Sequence, residues 1–121
     1  MILFRDELPN RFYMDESIYD NKITYKLFSD VGEYQKHDDL FEKYNIEPSG
    51  YDWEDIVKKR LEQVAPELLK DINFDCNGDE FLVFTKNENA QINLAKYFLE
   101  ICNNAELLET ILSQISEKNI L

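Results

Sequence analysis

Few residues of this chain could do chemistry. Its single histidine, His37, stands between Lys36 and Asp38-Asp39, so any Ser-His-Asp or Cys-His mechanism would have to run through it. In so charged a segment it reads as a solvated side chain. Cys76 and Cys102 form no C-x-x-C pair and fall among apolar neighbours, where a thiol reads as a small core residue. The sequence contains no H-E-x-x-H, no Cys/His metal spacing, no Gly-rich phosphate loop and no dinucleotide fingerprint, so it implies neither metal nor cofactor. Neighbouring carboxylates are plentiful, as in Asp38 with Asp39 and Glu42, or Asp52 with Glu54 and Asp55. Paired carboxylates can hydrolyse glycosidic bonds or hold metals, but with 25 acidic residues such pairs arise by chance and form a solvated face. The expectation is a protein that is not an enzyme.

What the carboxylates do supply is a field. Against 25 acids stand 13 Lys and Arg, a net charge of -12. Phosphate neutralisation needs clustered bases, so direct nucleic-acid binding is disfavoured, and an anionic membrane surface is disfavoured for the same reason. A basic protein partner is favoured, because a field of this sign accelerates encounter with a cationic cleft. Residues 1–56 carry 14 acids against 6 bases, residues 57–121 carry 11 against 7, and the first half is therefore the expected docking side. Within it the candidates are Asp38, Asp39 and Glu42, with Glu54 and Asp55 on the outward side of a helix. No apolar run has the length of a membrane span, and the start Met1-Ile-Leu-Phe-Arg5-Asp6-Glu7 lacks the order of a signal peptide. A cytoplasmic location is expected.

These side chains need a scaffold, and at 121 residues the chain is long enough to bury one core without staples. The stretch Gly50-Tyr51-Asp52-Trp53-Glu54 organises it. Gly50 suits a tight turn needing positive φ, Asp52 suits a helix cap, and a helix is expected from Trp53. Trp53, Ile56, Val57, Leu61 and Val64 form its apolar stripe, Pro66 stops it, and Tyr51 and Trp53 read as buried anchors.

Residues 1–21 are the least legible, with apolar patches at 2–4 and 12–14 around a turn at Leu8-Pro9-Asn10. Alternation from Lys22 to Phe28 predicts a strand entered through Asp20-Asn21. Tyr34, Leu40, Phe41 and Tyr44 then follow a helical pattern. Ile72, Phe74 and Cys76 alternate into an Asn77-Gly78 hairpin signal, and Phe81-Leu82-Val83-Phe84, apolar on both faces, belongs inside a sheet. Two helices follow, one over about 89–102 and one opened by Asn103-x-x-Glu106. The fold class is α+β: a small antiparallel sheet packed with about four helices, one domain over residues 1–121.

From Leu27 onward this order of landmarks resembles the bacterial immunity protein 51 family, antidote proteins of polymorphic and contact-dependent toxin systems. The resemblance rests on Ser29-Asp30-Val31-Gly32-Glu33-Tyr34, on Gly50-Tyr51-Asp52-Trp53-Glu54, its most specific piece, and on Phe74-Asp75 followed by Phe81. It covers roughly three quarters of the chain; residues 1–21 show no match, and the turn reads Pro48-Ser49-Gly50 where the family often carries more Gly and Asn. The resemblance implies an immunity protein that plugs a basic toxin domain, such as a nuclease, in a tight complex without chemistry of its own. Two other readings stand beside it: an acidic adaptor or nucleic-acid mimic that binds a basic host protein, and a small hydrolase using paired carboxylates.

Overall fold

The computed structural model describes residues 12–19, 21–31 and 37–120. The apolar patch at 2–4, the turn at 8–10 and the inward position assigned to Tyr34 lie outside them. Four strands, β1 (Phe12–Tyr19), β2 (Lys22–Ser29), β3 (Ile72–Phe74) and β4 (Phe81–Thr85), form one sheet in the order β1-β2-β4-β3, antiparallel throughout. Between β2 and β3 come α1 (Asp38–Lys43), α2 (Gly50–Val64) and a 3-10 helix (Pro66–Asp71); α3 (Glu88–Cys102) and α4 (Ala105–Ile120) follow β4. The class is α+β, as the patterning implies.

Register explains which face is covered. Met14 pairs with Leu27, Leu27 with Val83 and Val83 with Phe74, so these side chains share one face, and the first three are fully buried. The helices bring Phe41, Trp53, Ile56, Val57, Leu61, Leu94, Phe98, Ile101, Leu108, Ile111 and Leu112 to the same core. Each fully buried side chain of this size contributes about 1.5–3 kcal/mol. Rings run through the core in contact: Phe41 with Trp53 (5.8 Å between centroids), Trp53 with Phe98 (5.4 Å), Phe98 stacked on Phe81 (4.9 Å) and Phe81 with Phe74 (6.1 Å). One aromatic series thus joins α1 to the far strand. Strand β4 is interior, as its apolar run implies, with Phe81, Val83 and Thr85 buried and Leu82 and Phe84 half-buried on the other face.

Strand β1 begins where only a short apolar patch was legible, and its partner extends past β4. Asn21, at φ 62°, makes the turn expected before Lys22, between the paired Tyr19 and Lys22. Pairing of β2 with β4 covers only Tyr25 to Ser29, so 22–24 are bonded to β1 alone among the described strands. At that end the cross-strand pair Ile18 and Ile23 is 77% and 53% exposed. Gln91 of α3, buried, ties the ribbon down: its Nε2 donates to the carbonyls of Asp15 (2.9 Å) and Lys26 (2.8 Å).

Several boundaries differ from expectation for local chemical reasons. The α2 cap is Ser49 and not Asp52. Ser49 Oγ accepts the Asp52 amide (3.2 Å) and its hydroxyl donates to Asp52 Oδ2 (2.7 Å), so the helix starts at Gly50, ahead of Trp53. Gly50 has no positive φ. A Cβ there would overlap the backbone carbonyl oxygens of Glu80 and Asn77, and its amide donates to the Gly78 carbonyl at 3.4 Å; close approach is its function. The hairpin turn is shifted by one residue. Asn77 and Glu80 close it (3.0 Å) around Gly78-Asp79, because the Asn77 carboxamide accepts the Asp79 and Glu80 amides at 3.0 Å each. Helix α4 is capped by Asn104, whose Oδ1 accepts the Leu107 amide (3.1 Å), and not by Asn103. Val64 is exposed, the last residue before α2 ends and Pro66 opens the 3-10 helix.

Candidate protein-interaction face

Helix α1 carries three of the five nominated carboxylates. Asp38 and Asp39 occupy its first turn, where the positive end of the peptide dipoles favours them, and with Glu42 they are exposed. The helix ends at once because Asn45 adopts φ 55°: Ile46 N–H bonds the Phe41 carbonyl (2.9 Å) and Asn45 N–H that of Glu42 (3.0 Å). Lys43 Nζ donates to Glu109 Oε2 of α4 at 2.7 Å; that hydrogen bond raises the lysine pKa and lowers the glutamate's. Phe41 is buried against Trp53, so one face of the helix is fixed and the acids stay outside.

His37, read as solvated, is instead 7% exposed. Its carbonyl accepts the Leu40 and Phe41 amides, and its Nε2 donates to the Cys102 carbonyl, the last residue of α3, at 2.7 Å. A charged sequence neighbourhood concealed this, since Lys36, Asp38 and Asp39 say nothing of the helix end 65 residues away. The role is to hold α1 against α3. Replacing His37 with alanine removes a buried donor from an accepting carbonyl and is expected to cost about 2 kcal/mol in urea unfolding. His37→Gln, which can donate again, should recover part of that loss.

Glu54 and Asp55 lie in a different setting. Glu54 accepts from Lys58 Nζ at 2.8 Å, and the same ammonium sits 5.1 Å from the centre of the Phe74 ring. Glu54 also borders Cys76: burial first, with the charges of Glu54 and Asp75 adding, pushes that thiol up to about 12. Such a thiol stays protonated at neutral pH and is a poor nucleophile. Cys102 is buried, as its apolar setting implies, whereas Cys76 is half-buried. Asp55 is exposed. The five carboxylates therefore form two groups, one on α1 beside α4 and one on α2 beside β3.

Tyr51, expected to be a buried anchor, is 59% exposed, whereas Trp53 is fully buried. The earlier helix start explains the exchange: with Ser49 as cap, Trp53 points inward with Ile56 and Val57, and Tyr51 falls on the outer side with Asp55, one turn on. The turn that carries Asp79 and Glu80, which sequence reading did not connect with α2, lays its 77–80 backbone against Gly50. Among the described residues no three His, Cys, Asp or Glu side chains are grouped to hold a metal ion, and no helix is long and apolar enough to cross a membrane.

By comparison with known families this small α+β domain belongs to the immunity proteins, a class that is generally non-catalytic. The chain belongs to the immunity protein 51 family, whose model matches residues 15–117. That match starts earlier than the resemblance read from Leu27 and takes in most of β1. No curated protein and no solved structure matches the chain.

Proposed function

We propose that this chain, acting as one domain over residues 1–121 in the cytoplasm, binds a cognate bacterial toxin domain and neutralises it. It does so by forming a tight complex that covers the toxin's active site or substrate entry, without chemistry of its own. Membership of the immunity protein 51 family carries the reading. The net charge of -12 supports a basic partner, and a nuclease, whose cleft normally accommodates phosphates, fits that charge. In bacterial competition of the contact-dependent kind, such a protein would protect its own cell from siblings.

A tagged pull-down at modest salt, read by mass spectrometry, is the test. The expected result is a basic C-terminal fragment of a large secreted protein in stoichiometric amount, whose toxicity the purified chain abolishes. Recovery of housekeeping proteins alone would favour the acidic adaptor instead. Exchanging Asp38, Asp39 and Glu42 for lysine should slow association with that toxin domain about tenfold at low salt and far less at high salt. Unchanged stopped-flow kinetics at low salt would remove α1 from the interface.

A further inference from the structure

Three residues of Gly50-Tyr51-Asp52-Trp53 have folding tasks: Gly50 admits the 77–80 backbone, Asp52 completes the Ser49 cap, and Trp53 fills the core. Tyr51 has none of these. It presents a large ring at 59% exposure on the first turn of a 15-residue helix. The backbone beneath it is immobilised from both sides, by the cap and by the turn pressed against Gly50. An aromatic side chain with only two rotatable angles, on a backbone already fixed, loses little entropy on binding.

The fold also brings two acidic segments together at Gly50, the residue before Tyr51. Residues 47–55 contribute Glu47, Asp52, Glu54 and Asp55, residues 75–80 contribute Asp75, Asp79 and Glu80, and neither segment contains a Lys or Arg. The contact of Gly50 with the Asn77 and Glu80 carbonyls brings the two segments together. Glu47, Asp55, Asp75 and Asp79 are exposed. Glu54 is bonded to Lys58 (2.8 Å), as Lys43 of α1 is to Glu109 of α4 (2.7 Å).

We infer that Tyr51 is the anchor of the toxin interface. It packs against a lysine- or arginine-bearing surface of the cognate toxin domain, with the carboxylates of 47–55 and 75–80 as its rim. This rests on the immunity reading above and adds a location to it. Aromatic rings attract cations through their faces and dominate binding energy when desolvated at an interface centre, whereas rim charges act mainly on the rate of encounter. The acids of both groups therefore speed association, and Tyr51 sets how long the complex lasts.

The experiment is surface-immobilised binding of the purified basic toxin domain recovered in the pull-down, with wild type, Tyr51→Ala, Tyr51→Phe and Asp55→Lys/Asp79→Lys variants. Unchanged Trp53 fluorescence and urea midpoint would show each variant folded. Tyr51→Ala should raise the dissociation rate about 30-fold with little change in association, and Tyr51→Phe should stay close to wild type. The double lysine variant should bind more slowly at low salt. If wild type binds and inhibits the toxin while folded Tyr51→Ala dissociates at the wild-type rate, the anchor is elsewhere and the immunity reading stands. If wild type neither binds nor inhibits any basic toxin domain, both are overturned.

Discussion

Gly50→Ala is expected to destabilise the fold by about 3 kcal/mol, measured as a shifted midpoint in urea unfolding followed by circular dichroism. Alanine is the better helix former, and on an open helix the exchange would stabilise by about 1 kcal/mol. Here the added carbon meets the backbone carbonyl oxygens of Glu80 and Asn77, which no rotamer change can move. Either α2 shifts as a body, disturbing Trp53, or the 77–80 turn lifts away and loses the amides accepted by Asn77. Gly78→Ala is the control. A Cβ there meets nothing within 4 Å, so that variant should stay within about 1 kcal/mol of wild type. Equal effects at the two glycines would refute close approach as the reason for Gly50.

Trp53→Ala is expected to cost about 4 kcal/mol, a large share of the 5–15 kcal/mol that a domain of this size commonly has. The indole is fully buried between the rings of Phe41 and Phe98. Removing it opens a cavity at the centre of the aromatic series. Because Phe41 is the buried residue of α1, that helix should loosen first, and protection against the toxin should fall even at temperatures where the sheet persists. Trp53→Phe keeps a ring in place and should cost less than half as much. A Trp53→Ala protein with a wild-type urea midpoint would contradict this account of the core.

How much of this was legible in the sequence depended on whether the determining partner was near in the chain. The Trp53 stripe as far as Leu61, the interior β4 and the helices α3 and α4 follow from periodicity, which records burial directly, and the structure agrees; Val64 alone of the stripe is exposed. Caps were shifted by one to three residues because Ser49, Asn103 and Asn104 are chemically competent neighbours, and only geometry chooses among them. His37 and Tyr51 were exchanged between inside and outside. The burial of one depends on a carbonyl at the end of α3, and the exposure of the other on where α2 starts. The acids of α1 and α2 could be named as candidates from charge alone. That the start of α2 meets the 77–80 turn could not be read, because the contact is made by a glycine and two backbone carbonyls, which carry no sequence pattern.

The overhanging end of the β1-β2 ribbon has a consequence for how the molecule breathes. Amides of 25–29 sit between two hydrogen-bonded neighbours, and their release requires opening the sheet beside the buried core. Among the described strands, amides of 22–24 are held from one side, next to two exposed isoleucines, and can be freed by a local fraying event that leaves Leu27 and Val83 in place. Deuterium uptake along β2 should therefore rise steeply from Tyr25 toward Lys22, with the two carbonyls gripped by Gln91 marking the boundary between the part of the hairpin that opens alone and the part that opens only with the whole domain.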